Sequence, residues 1–244
     1  MSKENTYKSV LDVDTQLLED ITGLIHDKLD GSLRNILADL YDFDIAVIVD
    51  NLEEDDDAFY LFSLLDDETA SNVLLEISDE RKDEIVERLE GKKLSSIVSE
   101  MYSDDAADFV SELDDKEKHE VLQNLDTIDK EDSQEVRELL QYDENTAGGI
   151  MAKEYVAVHC NKTVAEGIVE IQQQAEEVDQ LYNIWVVDDE NKLAGIISLK
   201  RFIILMKEPD KIIKDVMNPD VISVRADIDQ QEVANIFRSY DLVS

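Results

Sequence analysis

YDENTAGGIM, residues 142–151, separates two parts of the chain that have different sequence patterns. It contains two of the seven glycines, Gly148 and Gly149, directly after a long helical pattern. Glycine weakens a helix and allows the backbone to approach another group closely. The pair therefore indicates either a simple stop at the end of a helical domain or a place where an uncovered backbone carbonyl meets a neighbour.

The chain before this stretch, from Asp14 to Leu140, predicts a series of short amphipathic helices. Its apolar residues fall in bursts such as LLEDITGLI, LRNILADL and EVLQNL, and acidic or serine residues suited to helix N-caps separate them. DDAFYLFSLLDDETASNVLLEI, which begins at Asp56, aligns without gaps to DDAADFVSELDDKEKHEVLQNL, which begins at Asp104. An internal repeat of short helices predicts an all-helical superhelix whose repeats bury a common core.

The chain after the glycine pair predicts a βαββα unit. The predicted strands are YVAV (155–158), LYNIWVVDD (181–189) and LAGIISL (193–199), with the helix VAEGIVEIQQQA between the first two. A second copy follows, in which Val216-Met217 repeats Ile150-Met151, Ile222 and Val224 repeat the first strand, and QEVANIF repeats the helix. The second copy stops before its remaining strands, so we expect the sequence to be a fragment that ends inside a domain.

The charge of the chain restricts the classes of partner. Sixty acidic against 23 basic residues give a net charge of −37, which argues against binding to nucleic acid or anionic lipid and favours cations or basic partners. The carboxylates alternate with leucine, isoleucine and valine at regular spacing, which indicates an ordered chain.

Other sequence signals for a site or a compartment are few. Cys160 is the only cysteine, which is consistent with a reducing cytosol, and the three histidines lack metal-site spacing. The N-terminus lacks the apolar core of a signal peptide and no apolar run is long enough to span a membrane, so the sequence predicts a soluble chain. No nucleophile–base pair or phosphate-binding glycine loop is present, so we expect no enzyme activity.

Two tandem βαββα units preceded by the dipeptides IM and VM resemble a cystathionine-beta-synthase (CBS) domain pair. Together with the acidic helical repeat, TAGGIM, EYVAV, VMNPDVISV and DQQEVANIFRSYDL, they make the whole chain similar to the cytosolic part of the MgtE family of magnesium transporters and channels. The resemblance implies a helical superhelix domain at 1–141, a junction at 142–150, a first CBS unit at 151–212 and an incomplete second unit at 213–244.

The resemblance also implies a function. It implies a homodimer formed through the CBS domains at the cytoplasmic face of a cell membrane, next to a pore domain that this sequence lacks. Magnesium ions bound between the helical and CBS domains would close the dimer and hold the pore shut. Two alternatives remain: a CBS-type adenine-nucleotide sensor, or a helical-repeat scaffold for a basic partner protein.

The candidate magnesium ligands are Asp104, Asp105, Asp108, Gly149 and Asp241. Asp104 and Asp108 share one helix face, with Asp105 beside them, and magnesium prefers oxygen ligands. These aspartates also suit the first turn of a helix capped by Ser103, with no metal present. The resemblance is what implies a metal role for Asp104 and Asp108, for the carbonyl of Gly149 and for Asp241.

Two positions depart from the patterns of the related families. Asn72 stands where an earlier helical repeat of MgtE proteins has an acidic ligand. Arg201 stands where nucleotide-binding CBS domains usually have the aspartate of a Ser/Thr-x-x-Asp pattern, and arginine cannot accept hydrogen bonds from ribose hydroxyls. Lys200 and Arg201 could still face phosphates.

Overall fold

The computed structural model describes residues 13–175, 178 and 180–242. The chain divides into two compact units. The helical unit contains the residues up to Met101 together with Asp105–Arg137, and the sheet unit contains Tyr102–Asp104 together with the residues from Glu138 onward.

Short helices follow one another from Thr15 to Leu139, as the sequence predicts. Their bounds are α1 (Thr15–His26), α2 (Asp30–Leu37), α3 (Asp42–Asn51), α4 (Asp55–Phe62), α5 (Asp67–Glu76), α6 (Asp79–Arg88), α7 (Gly91–Val98), α8 (Ser103–Glu112), α9 (Asp115–Ile128) and α10 (Lys130–Leu139). The prediction of a helical repeat domain is therefore confirmed.

Alternate helices of the helical unit stack in a row. Helix α3 packs against α5, α5 against α7, and α7 against α9. Val73, Ile97 and Val121 lie on three successive members of this row, and none of them is exposed to solvent. Isolated helices of this length are unstable in water, so stacking of the repeats is what stabilises them.

The caps of the repeated helices are also repeated. Asp66 precedes α5, and its carboxylate accepts a hydrogen bond from the amide of Thr69, which lowers the pKa of Asp66. Asp114 precedes α9 and forms a reciprocal capping box with Glu117. Equivalent positions of the two repeats therefore begin their helices by the same chemistry.

The sheet unit contains a three-stranded sheet in the order β1-β2-β3. Its elements are β1 (Ala157–His159), α11 (Val164–Gln174), β2 (Asn183–Val187), β3 (Leu193–Ser198), α12 (Leu199–Leu205), a 3-10 turn (Ile213–Asp215) and α13 (Gln230–Tyr240). Strand β1 is parallel to β2, with α11 as the crossover, and β2 is antiparallel to β3. Ile184 and Val186 of β2 alternate with less buried neighbours and belong to a core that also contains Phe202 and Ile213.

Residues 188–192 form the turn between β2 and β3. Asn191 adopts φ 57°, and the Asp188 carboxylate accepts hydrogen bonds from the amides of Lys192 and Glu190. These two bonds lower the pKa of Asp188. The carboxylate of Asp188 therefore stabilises the turn.

The second βαββα copy forms only in part. Its helix is present as α13, but the described residues around Ile222 and Val224 form no strand, unlike their counterparts near Val158. In the first copy, β1 is held by pairing with β2, where Val158 lies opposite Val186. The described residues provide no equivalent partner strand for Ile222 and Val224, so their repeat pattern alone does not produce a strand.

Candidate functional site

Three of the predicted magnesium ligands lie near the start of α8. Asp104 and Asp105 are half-buried in its first turn, and Asp108 is exposed one turn later. The sequence of this helix, SDDAADFVSE, contains no basic residue. The helix therefore presents a local excess of carboxylate oxygens, which are the ligands that magnesium prefers.

Ser103, which the sequence predicts as the cap of α8, is the first residue of that helix and bonds to the segment before β1. Its amide donates a hydrogen bond to Oε1 of Glu154 (2.7 Å), and its hydroxyl donates one to Oε2 (2.9 Å). The same hydroxyl accepts a hydrogen bond from the amide of Lys153 (2.9 Å), in the segment that leads into β1. Glu154, which is distant in sequence, therefore holds the first residue of α8 by its carboxylate.

The contact between Glu154 and Ser103 was not predicted from the sequence. Glu154 is the first residue of the EYVAV motif, and no local spacing pairs it with Ser103, which lies 51 residues earlier. Lys153, beside it, forms an ion pair with Glu138 (3.0 Å). Only the fold of the sheet unit brings these residues together.

The glycine pair lies in a tight turn of the sheet unit, after α10 has already ended at Leu139. Both glycines are buried, and the amide of Gly148 donates a hydrogen bond to the carbonyl of Ala226 (2.8 Å). A Cβ added at Gly149 would lie 2.5 Å from the carbonyl oxygen of Asp143 and 2.8 Å from Cα of Glu144. The pair is therefore not the helix stop itself, and close backbone approach requires glycine at position 149.

Asp241 ends α13. It is the C-cap residue, with φ 53° in the left-handed region, and its amide donates a hydrogen bond to the carbonyl of Phe237. The glycine turn pairs with the residues just before α13, where Thr146 forms a bridge with Asp229. Helix α13 has 11 residues and is therefore about 16 Å long. The turn that contains Gly149 lies near the start of this helix and Asp241 lies at its end, so the two predicted ligands would serve separate sites within one chain.

Asn72 has a structural partner in the helical unit. Its side-chain amide donates a hydrogen bond to the carboxylate of Asp42 (2.7 Å), which connects α5 to α3. Among the side chains that the structure describes, no group of three or more histidine, cysteine, aspartate or glutamate residues is arranged to hold a metal ion.

The end of β3 has the serine of the Ser/Thr-x-x-Asp pattern but not its acid. Ser198 is the N-cap of α12, and its hydroxyl accepts a hydrogen bond from the amide of Arg201. Nε of Arg201 donates a hydrogen bond to the carbonyl of Val216 (3.1 Å), which ties α12 to the segment after the 3-10 turn. This position therefore offers donors to a ligand and no acceptor for ribose.

In the described part of the chain, no helix combines the length and the apolar character needed to cross a membrane.

The comparisons with known proteins agree in both halves of the chain. Residues 28–145 match the family model of the MgtE intracellular N domain, and residues 147–208 and 213–244 match that of the CBS domain. Magnesium transporter MgtE of Enterococcus faecalis is 40% identical over 114 residues, and that of Thermus thermophilus is 39% identical over 114 residues. Each alignment covers 47% of this chain and 25% of the relative, so the chain spans about a quarter of the length of the curated relatives that it matches.

Two crystal structures are similar to this chain over more than nine-tenths of its length. The cytosolic domain of the Mg²⁺ channel MgtE in complex with ATP is 30% identical, with a TM-score of 0.83, over 92% of this chain and 90% of the other. The soluble part of a magnesium transporter is 28% identical, with a TM-score of 0.80, over 93% of this chain and 88% of the other. The chain therefore belongs to the MgtE family and corresponds to the helical N domain and CBS region of that family.

Proposed function

We propose that this chain is the magnesium-sensing region of a magnesium transporter, and that magnesium bound by Asp104, Asp105 and Asp108, by the carbonyl of Gly149 and by Asp241 favours a compact homodimer. The observation that carries the proposal is α8, a helix with acidic first turns and no basic residue, in a chain of net charge −37 that belongs to a family of magnesium transporters. In the full protein, the compact form would hold the pore shut.

The physical basis of the proposal is the relief of repulsion between neighbouring carboxylates. At a Debye length of about 10 Å, only carboxylates that are close together repel one another strongly, so local clusters matter more than the total charge. A magnesium ion replaces this repulsion with bridging. Because a ligand shifts a conformational equilibrium only by its difference in affinity for the two states, several weak sites acting together would give a sharp response.

Thermal unfolding tests whether magnesium binds the folded chain. We expect millimolar magnesium chloride to raise the melting temperature more than sodium chloride of equal ionic strength, because a ligand that binds only the folded state stabilises it by mass action. An equal rise in both salts would mean screening of the acidic surface alone, and would contradict a specific site.

Nucleotide sensing is the second candidate function, because the similar MgtE cytosolic domain was crystallised with ATP. Lys200 and Arg201 could bind phosphates, but Arg201 lacks the acceptor for ribose hydroxyls. The same thermal experiment separates the two functions. Stabilisation by ATP without magnesium, together with no effect of magnesium alone, would favour nucleotide sensing.

Exposed apolar side chains of the sheet unit support a dimer. Ile203 and Ile204 of α12 are 56% and 60% exposed, and Val169 of α11 is 52% exposed. Gly167 of α11 packs against Phe202 of α12, so the two helices approach each other closely. Large apolar side chains that remain exposed on neighbouring helices are compatible with a protein interface at this face.

We expect Ile203→Glu plus Ile204→Glu to weaken the dimer by at least about tenfold in dissociation constant, because two charges would be buried without partners in the interface. Sedimentation velocity over a concentration series measures this change. Leu29→Glu plus Ile128→Glu is the matched control, since these residues are also exposed but lie in the helical unit. A control pair that dissociates the dimer equally would place the interface elsewhere.

A further inference from the structure

The carboxylate of Glu154 holds the first residue of α8. It accepts hydrogen bonds from both the amide and the hydroxyl of Ser103, at 2.7 and 2.9 Å, and the Ser103 hydroxyl in turn accepts one from the amide of Lys153. Ser103 is only 4% exposed, so these bonds are largely protected from competition by water. Ser103, Lys153 and Glu154 all belong to the sheet unit.

This arrangement holds Ser103 by two bonds to one carboxylate. Hydrogen bonds to a charged group are stronger than neutral ones, and two of them restrict both the position and the orientation of Ser103. Asp104 follows Ser103 directly in the chain, so its backbone is held by the same bonds. Glu154 therefore fixes the residue that directly precedes a candidate magnesium ligand.

We propose that Glu154 is a positioning residue for the magnesium site of α8: it holds Ser103 by its carboxylate and so orients Asp104 for the ion without binding the ion itself. The inference rests on the proposed magnesium-sensing function. Residues that do not bind a metal but hydrogen-bond to its ligands commonly change the metal affinity by about 10- to 100-fold when they are mutated. A role in folding alone is the competing explanation.

The test is a magnesium titration of the wild-type chain, Glu154→Ala and Glu154→Gln, read by the magnesium concentration at half-maximal thermal stabilisation. We expect Glu154→Ala to raise this midpoint about tenfold, the lower end of the effect typical of outer partners at metal sites. Glu154→Gln keeps an acceptor for Ser103 but lacks the charge, so its midpoint is expected between those of the wild type and the alanine variant.

Gln174→Ala is the matched control for lost stability. The Gln174 side chain accepts a hydrogen bond from the amide of Ala157 and donates to the carbonyls of Ala157 and Glu170, so it supports the same segment without touching α8. We expect this variant to melt earlier than the wild type and to keep the wild-type magnesium midpoint.

The outcomes separate the two hypotheses. A wild-type chain that responds to magnesium, with Glu154→Ala and Gln174→Ala shifted equally or not at all, would overturn the positioning role alone and leave magnesium sensing intact. A wild-type chain with no magnesium response would overturn both.

Discussion

Gly149→Ala should lower the free energy of unfolding of the sheet unit by about 3 kcal/mol, the upper part of the range for forcing an extra carbon into a packed site. The added Cβ would lie 2.5 Å from the carbonyl oxygen of Asp143 and 2.8 Å from Cα of Glu144. Both contacts are with backbone, so rotation of a side chain cannot relieve them. Urea unfolding followed by the fluorescence of Trp185, the only tryptophan and a residue of β2, measures this change.

Gly31→Ala is the control for this substitution. Gly31 lies in α2, and a Cβ added there has no atom within 4 Å. Alanine should therefore stabilise that helix by about 0.5–1 kcal/mol, detected in the helical signal by circular dichroism. If Gly149→Ala left the urea unfolding transition of Trp185 unchanged, the backbone around the glycine pair would be able to accommodate the added Cβ. The pair would then be a simple linker.

Asp104→Ala plus Asp108→Ala should remove most of the response to magnesium while the helices remain folded. The two carboxylates share a face of α8, and replacing them takes away the oxygens with which the helix would hold the ion. We expect the magnesium midpoint of thermal stabilisation to rise by more than about tenfold, since loss of a ligand should cost at least as much as loss of an outer partner. Asp105→Ala alone should give a smaller rise.

Asp79→Ala plus Asp83→Ala is the matched control for this pair. These aspartates are exposed, belong to α6 and have the same spacing, so the control removes the same charge from an equivalent helix. A control pair that weakens the response to the same extent would mean that magnesium responds to the total charge of the chain and not to a site on α8.

The fold was predictable from the sequence wherever the determinants are local. The spacing of apolar residues and the acidic caps predict α1 to α10, and β-branched runs predict β2 and β3, because these elements depend on neighbours within a few residues. The strand expected near Ile222 and Val224 was wrong for the opposite reason: a strand requires a partner, and their sequence pattern does not contain one.

The candidate site was predictable only in part. The spacing of Asp104 and Asp108 was visible because both lie on one helix, but the bonds between Ser103 and Glu154 join residues 51 positions apart. Ser103 was expected to cap α8 through its hydroxyl, since serine is a common N-cap residue. The bonds of this hydroxyl to Glu154 and Lys153 were not predictable, because they depend on the fold of the sheet unit.

The most direct test of magnesium sensing is small-angle X-ray scattering of this chain during a titration with magnesium chloride, with sodium chloride of matched ionic strength as the reference. We expect the radius of gyration to decrease with magnesium in the wild-type chain and in Asp79→Ala plus Asp83→Ala, and to stay constant in Asp104→Ala plus Asp108→Ala. A wild-type radius that follows the sodium reference at every concentration would contradict magnesium sensing.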